Sequence, residues 1–402
     1  MAHILSRRTF FQTTAAAALT ARTLAQAQQT QAPKIAGFDE TNAGKVKVAA
    51  WTPFSDRKVK VGIAGYGVCK FGASFGFQNH PNVEVVAATD LNPDACAELA
   101  KVTGAKKTYA SCEEMYAKDR EIEAVFIATD APSHAKLCIE GMKRGLHVAS
   151  AVPAVFGEEQ LELADELLAT VKKTGLVYAL FETTAFRPQC YAMREIYKAG
   201  GFGKMIYTEG EYYHYMDKHI GSYNGWRVGL PPQYYPTHSN GFYTCVTGGS
   251  FTSVSCLAIP SLLPDNQPGK NRYNNPFASE IALFRTSEGG MARMAVSWDM
   301  PGAGGEKGRV YGQKGSFEAR YSGQADISKV AQEKPPLPPG VPAGGHGGSH
   351  GYLSDDFIRA ILLKQKPVCD VACALNTTVS GIYAHMSAMK DGETLKIPQY
   401  AL

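Results

Sequence analysis

The chain has 402 residues, 45% of them apolar and 19% charged, which excludes a disordered tail protein. Its net charge of +4 falls to about +1 once Arg7, Arg8 and Arg22 of the first 27 residues are set aside, which argues against nucleic acid as the main partner. No apolar run of about 18 residues is present to span a membrane, and nine cysteines with no C-x-x-C, Cys369 and Cys373 being the only close pair, describe neither a disulfide scaffold nor a metal-binding spacing.

The first segment reads as an address. Ser6-Arg7-Arg8-Thr9-Phe10-Phe11 precedes a weakly hydrophobic Ala/Thr stretch and then Ala25-Gln26-Ala27. This is the pattern of a twin-arginine signal cleaved after Ala27, and it predicts export of an already folded protein to the periplasm. Residues 28–57 are polar, with Gln, Pro and Gly, and are expected to form an extended arm.

A nucleotide-binding unit is expected from residue 58. Lys58 to Ala64 is a short apolar run with β-branched residues, and Gly65, Gly67 and Gly72 follow at once. A second apolar run, Val83 to Ala88, leads to Asp90, 23 residues after Gly67. Glycines let a turn bend tightly and let backbone approach a pyrophosphate at a helix N-terminus, while the acid holds ribose hydroxyls. Lys70 occupies the usual third glycine position, with Gly72 two residues on. A carboxylate repels a 2′-phosphate, so Asp90 without a following Arg favours NAD.

The alternation continues through helical spacing at 114–118, 133–144 and 158–173 and apolar runs at 122–128, 147–151 and 176–181. Strands alternating with helices imply a doubly wound parallel sheet over residues 58–185. Ligands on such sheets bind beyond the C-terminal strand ends, where Thr129, His134, Ala151, Pro153 and Glu182 fall. After about residue 185, strand-like runs at 205–215, 280–286, 291–298 and 308–311 predict a second domain, 186–402, on a mostly antiparallel or mixed sheet. Gly289-Gly290 closes a hairpin between two of these runs. The Pro/Gly-rich stretch 329–349 is expected to be loop, and helical periodicity returns at 352–363 and 375–389.

Val61-Gly62-Ile63-Ala64-Gly65-Tyr66-Gly67, Asp90, Ile127-Ala128-Thr129 with His134, and Gly145-Leu146-His147-Val148 together resemble the Gfo/Idh/MocA oxidoreductase family. The resemblance implies a Rossmann domain, an α/β domain with a large open sheet, a nicotinamide cofactor and carbohydrate or polyol substrates. One face of the second sheet can pair with a second subunit, and a homo-oligomer through that C-terminal sheet is expected. With its twin-arginine start the chain looks like the periplasmic glucose–fructose oxidoreductase branch. The family's usual Glu-Lys-Pro is Ala151-Val152-Pro153 here, so the lysine that assists proton transfer is missing. Tyr235-Pro236-Thr237-His238 is more similar to the NAD-dependent family 109 glycosidases, the branch of α-N-acetylgalactosaminidases, in which a Tyr and a His of this motif belong to the active site. Gly345-His346-Gly347-Gly348 is similar to that branch as well.

Chemistry supports His238 independently, because hydride transfer from a sugar carbon needs a base for the hydroxyl proton and imidazole titrates near neutrality. Tyr235 is placed beside it on an extended turn, as residues before proline avoid the helical region. Trp226 and Arg227 are candidates for a sugar platform, an indole to stack and a guanidinium to hold hydroxyls or carboxylates. Glu182 and His346 are further substrate-side candidates, and no metal is expected. Three functions stay open: a sugar oxidoreductase with a retained and recycled cofactor, an NAD-assisted glycoside hydrolase or lyase, and a binding protein that keeps only the fold.

Overall fold

The computed structural model describes residues 51–302 and 304–402. The expected signal and residues 28–50 of the expected arm lie outside the described residues. Residues 51–57 form neither helix nor strand. The Asn82 amide ties them down, donating to the carbonyls of Ser55 at 2.7 Å and Arg57 at 2.8 Å.

Among the described residues six strands form the first sheet: β1 (Val59–Ala64), β2 (Val83–Thr89), β3 (Lys107–Tyr109), β4 (Ala124–Ile127), β5 (His147–Ser150) and β6 (Tyr178–Leu180). They are all parallel, in the order β3-β2-β1-β4-β5-β6. This is the Rossmann order, and it reverses between β1 and β4. Every residue of β4 is buried, as a strand covered on both faces must be. Local signals agree with the fold. Asn92 caps the helix Pro93–Thr103 by accepting from the amides of Asp94 and Ala95, and Gly104 ends it in the left-handed region.

The second sheet comprises β7 (Met205–His214), β8 (Phe251–Pro260), β9 (Phe277–Thr286), β10 (Met291–Ser297), β11 (Gly304–Gly312), β12 (Gly315–Phe317), β13 (Tyr321–Gly323) and β14 (Leu395–Lys396). Among the described residues its order is β13-β12-β11-β7-β10-β9-β8-β14, and only the β7–β10 pair is parallel. The hairpin expected at Gly289-Gly290 joins β9 to β10. Residues 345–348, expected as loop, form one tight turn with His346 and Gly347 in the left-handed region, and the helix His350–Leu363 follows it.

The inner face of this sheet carries the helix Thr237–Thr247, which was not expected, directly after the extended turn expected at Tyr235. Pro236 stands at the helix entrance, where a fixed φ does no harm, and Tyr235 just before it is off-helix at φ −126°, ψ 56°. No amphipathic period announced this helix because ten of its eleven residues are buried. It beds onto the sheet at two glycines. A Cβ on Gly210 of β7 would sit 2.1 Å from the Ser239 carbonyl oxygen, and one on Gly308 of β11 would sit 2.1 Å from the Phe242 ring. The C-terminal helix Val371–Ala388 clamps it from the other side. There Asn240 Nδ2 donates to Thr377 O at 3.1 Å and to Ser380 Oγ at 3.0 Å. The outer face presents Leu257, Ile259, Ile281, Leu283 and Met291, all exposed.

Candidate active site

A cavity of about 640 Å³ opens at the C-terminal ends of β1, β2, β4 and β5. It is large enough for a dinucleotide-sized ligand by the usual scale of such clefts, about 300–1,000 Å³. Gly65, Gly67, Asp90, Thr129 and His134 line it, as do Trp226, Arg227 and Tyr235 from the second half of the chain. Gly65 has φ +102°, and a Cβ there would lie 2.3 Å from the Ala128 carbonyl oxygen, so the turn requires glycine. Gly67 has no neighbour within 4 Å of where its Cβ would be, which leaves its backbone open to a phosphate. Gly72 does not line the cavity. Its Cβ would lie 2.4 Å from Gly65 O, so its smallness serves close packing under the turn. Asp90 orders the rim by accepting from the amides of Tyr66 at 2.6 Å and Asn92 at 2.8 Å. These features fit a nicotinamide dinucleotide, with Gly65 and Gly67 at the pyrophosphate and Asp90 at the adenosine ribose.

His134 is buried, and burial holds its imidazole below the ordinary value. Its Nδ1 lies 3.0 Å from Pro153 O, so Pro153, which does not line the cavity, is joined to the site through this contact. Thr129 Oγ1 lies 2.7 Å from Ser133 Oγ. On the opposite wall the Arg227 guanidinium sits 4.2 Å from the Trp226 ring centroid, and Trp226 stacks on Tyr235 at 6.3 Å. Burial pushes the Tyr235 phenol up to about 12 against the lowering influence of Arg227, so at neutral pH it is a donor.

His238 does not line the large cavity. It borders a small one of about 10 Å³, room for roughly one water, with Val152, Phe75, Phe181, Thr183, Tyr235 and His346. Tyr235 and Val152 line both spaces and so stand between them. The Glu182 carboxylate lies 3.0 Å from His238 Nδ1, and Thr183 Oγ1 lies 3.3 Å from the same nitrogen. A carboxylate only accepts, so Nδ1 carries the hydrogen and Nε2 is left for chemistry. Burial alone would lower the imidazole. The Glu182 and Glu306 carboxylates overcome it and hold His238 above its ordinary value, and His238 holds Glu182 below its own in spite of burial.

The surroundings include residues the sequence did not nominate. Glu306 accepts from Arg187 Nε at 2.5 Å and Nη2 at 2.6 Å and from Thr184 Oγ1 at 2.8 Å. The Tyr212 ring meets His238 edge-on at 4.7 Å, and its hydroxyl is hydrogen-bonded to His214 Nδ1 at 3.1 Å. His350 Nδ1 donates to Ser74 O at 3.2 Å, and its Nε2 receives the hydrogen of His346 Nδ1 at 2.8 Å. Burial keeps His350 at about 4 and His346 well below its ordinary value, so both are neutral and His346 Nε2 bears a lone pair. His346 and His350 meet because the backbone at His346 and Gly347 is left-handed, which a four-residue spacing in sequence does not announce. The Arg187–Glu306 pair, 119 residues apart in sequence, carried no signal. His238, Glu306 and His346 place ligand atoms within 4.8 Å of one another, yet the Arg187 guanidinium already neutralises the carboxylate and makes the trio a poor cation site.

Residues 59–181 match the Gfo/Idh/MocA family, described as oxidoreductase family, NAD-binding Rossmann fold. Among individual proteins, glycosyl hydrolase family 109 protein 1 of Bacteroides fragilis is 29% identical over 220 residues, covering 50% of this chain and 45% of that protein. Its counterpart from Bacteroides thetaiotaomicron is 30% identical over 204 residues, 46% of this chain and 41% of the relative. The match thus spans less than half the length of these relatives. Among solved structures, a levoglucosan dehydrogenase in complex with NADH and levoglucosan superposes with a TM-score of 0.69 at 17% identity, over 85% of this chain and all of the other. Apo scyllo-inositol dehydrogenase from Lactobacillus casei gives 0.66 at 16% identity, over 85% of this chain and 99% of the other. At these identities the likeness is one of fold.

Proposed function

We propose that the protein is an NAD-dependent oxidoreductase acting on a sugar or sugar derivative, with residues 58–185 holding the cofactor and 186–402 the substrate. The observation that carries the reading is the buried Glu182–His238 pair, set one side chain behind the nucleotide cavity at Tyr235. NAD, when bound, supplies hydride acceptance and return. His238 Nε2 takes the proton of the hydroxyl being oxidised through the water-sized space behind Tyr235 and gives it back on reduction. Glu182 fixes the tautomer and orientation of His238 and stabilises its cation. Tyr235, kept protonated, donates to a substrate oxygen. Trp226 offers an apolar face to the sugar ring, and Arg227 offers donors to hydroxyls or a carboxylate. This assignment replaces the family lysine, whose place Val152 occupies.

The twin-arginine start supports a periplasmic protein that carries its cofactor through export. No free NAD pool is maintained there, so the cofactor is regenerated within each turnover. The exposed outer face of the second sheet supports a homo-oligomer.

A second reading, glycoside cleavage by oxidation, elimination and reduction, is favoured by Tyr235-Pro236-Thr237-His238 and by the relatives named family 109 glycosyl hydrolases. It also explains why the buried carboxylates near His238 are not a hydrolytic pair: Glu182 is committed to His238, and Glu306 to Arg187. The deciding experiment uses protein from the exported fraction, dialysed free of small molecules. The nicotinamide absorbance band is followed while sugars and glycosides are added. A band that changes and stays changed supports net oxidation. Product release without lasting change supports the internal cycle. Protein that releases no nucleotide on denaturation and binds NAD only at millimolar levels refutes both.

A further inference from the structure

The proposed function uses none of the sulfurs, yet three of them are gathered at one point. Cys245 lies near the end of the helix Thr237–Thr247, seven residues after His238. Cys369 stands just before the helix Val371–Ala388, and Cys373 lies in its first turn. All three are buried, and their Sγ atoms lie within 4.8 Å of one another. Cys369 and Cys373 are 3.5 Å apart and Cys245 and Cys373 4.0 Å. A disulfide needs about 2.05 Å, so these are free thiols. A metal ion about 2.3 Å from each sulfur would hold them roughly 3.8 Å apart in tetrahedral and 4.0 Å apart in trigonal geometry. The cluster brackets those values as it stands. An ordered hydroxyl adjoins it: Thr377 Oγ1 lies 4.0 Å from Cys373 Sγ and is itself held by Cys373 O and by Thr244 Oγ1, both at 2.6 Å.

We propose that Cys245, Cys369 and Cys373 form a structural site for one soft, thiophilic cation, of the class of Cu(I) and Zn(II). An all-sulfur ligand set selects such ions over Mg, Ca or Mn. Loading deprotonates the thiols and releases their protons to solvent, so affinity rises with pH. The ion ties the helix that begins at His238 to the C-terminal helix. It also ties both to the edge of the Rossmann sheet, because Leu180 at the end of β6 donates its amide to Cys369 O at 3.0 Å. The site acts on the position of the catalytic helix and takes no part in the chemistry.

The full chain, purified reduced and stripped of metal, is titrated without oxygen with Cu(I) or Zn(II) alone against a competing chelator. Expected are one equivalent retained per chain, a rise in the thermal midpoint, and X-ray absorption showing three sulfur neighbours at about 2.3 Å. Cys245→Ser and Cys373→Ser should each weaken retention by more than the roughly 10–100-fold lost with an outer-shell partner. Cys96→Ala, outside the cluster, should retain the ion. If the serine variants do not fold, the absorption spectrum of the wild-type chain decides. Nitrogen neighbours would move the ion to His238 and His346 and overturn the proposal, as would failure to hold either ion against the chelator.

Discussion

His238 combines two properties that burial sets against each other. A buried imidazole tends to lose its charge, and the Glu182 and Glu306 carboxylates reverse that tendency. As a base it works in the neutral form, so oxidation should rise with pH across a limb above its ordinary value of about 6.5. Glu182→Gln removes the main opposing charge and should shift that limb to lower pH; an unmoved limb would mean that another group titrates. His238→Ala should cost about 10²–10⁴-fold in turnover with nucleotide still bound, since general acid–base help is of that size and the cofactor contacts lie on other elements. Turnover and released nucleotide, measured on the same preparation, check this. Near-normal turnover would send the search for the base to His214 or His346.

At the scale of elements, the glycine turn after β1 is the least forgiving joint. Gly65→Ala must clear a carbonyl 2.3 Å away at a φ that L-residues avoid, so it should abolish NAD retention. Asp90→Ala should instead weaken NAD strongly while leaving the fold intact. Equal affinity of the unaltered protein for NAD and NADP would refute the role of Asp90. Calorimetric titration with both nucleotides checks these expectations. The turn was readable in sequence because glycine spacing, β-branched strands and the acid at Asp90 are local signals. The parallel sheet was readable for the same reason. The helix Thr237–Thr247 was not, since a helix buried all round has no polar face to give it a period. β8 was missed although its burial partly alternates: Ser253, Ser255 and Leu257 point outward, but apolar Leu257 and Ile259 on the outer face break the polar half of the pattern. Of the site, the motif residues were legible, whereas the pairing of Glu182 with His238 depends on contacts 56 residues apart.

For the molecule as a whole, the neutral buried histidines govern acid behaviour. His214 and His350 sit at about 4 and His346 well below its ordinary value, mainly through burial. The unfolded chain therefore binds more protons between about pH 4 and 6.5, and stability falls as pH drops through that window. His238 works with the opposite sign: its raised value adds stability that is complete below about 6.5 and is lost as pH rises through the folded value. Burial lowers His134, His147 and His219 as well. It raises Asp356 to about 6 and also raises Asp370, and these two act with the sign of His238. With six groups against three, the urea midpoint should be lower at pH 5 than at pH 7, and His350→Gln should flatten the difference. Equal midpoints would refute neutral burial. On the outside, Leu257 and Ile281 are paired neighbours across β8 and β9, and Leu283 adjoins them. Leu283→Glu should therefore break the proposed assembly into single chains, as read by light scattering. A wild-type chain that is already monomeric at micromolar concentration would refute that assembly.

The glycine seats beneath the helix Thr237–Thr247 have a consequence for how such a site can diversify. With Gly210 against the Ser239 carbonyl and Gly308 against Phe242, the helix rests on sheet backbone and has no slack in which to shift. Any side chain at either seat would lift His238 away from Glu182. Trp226 and Arg227, by contrast, come from a strap between β7 and this helix whose only regular element is the short turns at 223–225 and 232–234. New substrates can thus be acquired by rewriting the strap while the proton-handling apparatus is inherited unchanged, so swapping segment 216–231 between homologous folds should transfer preference without transferring chemistry.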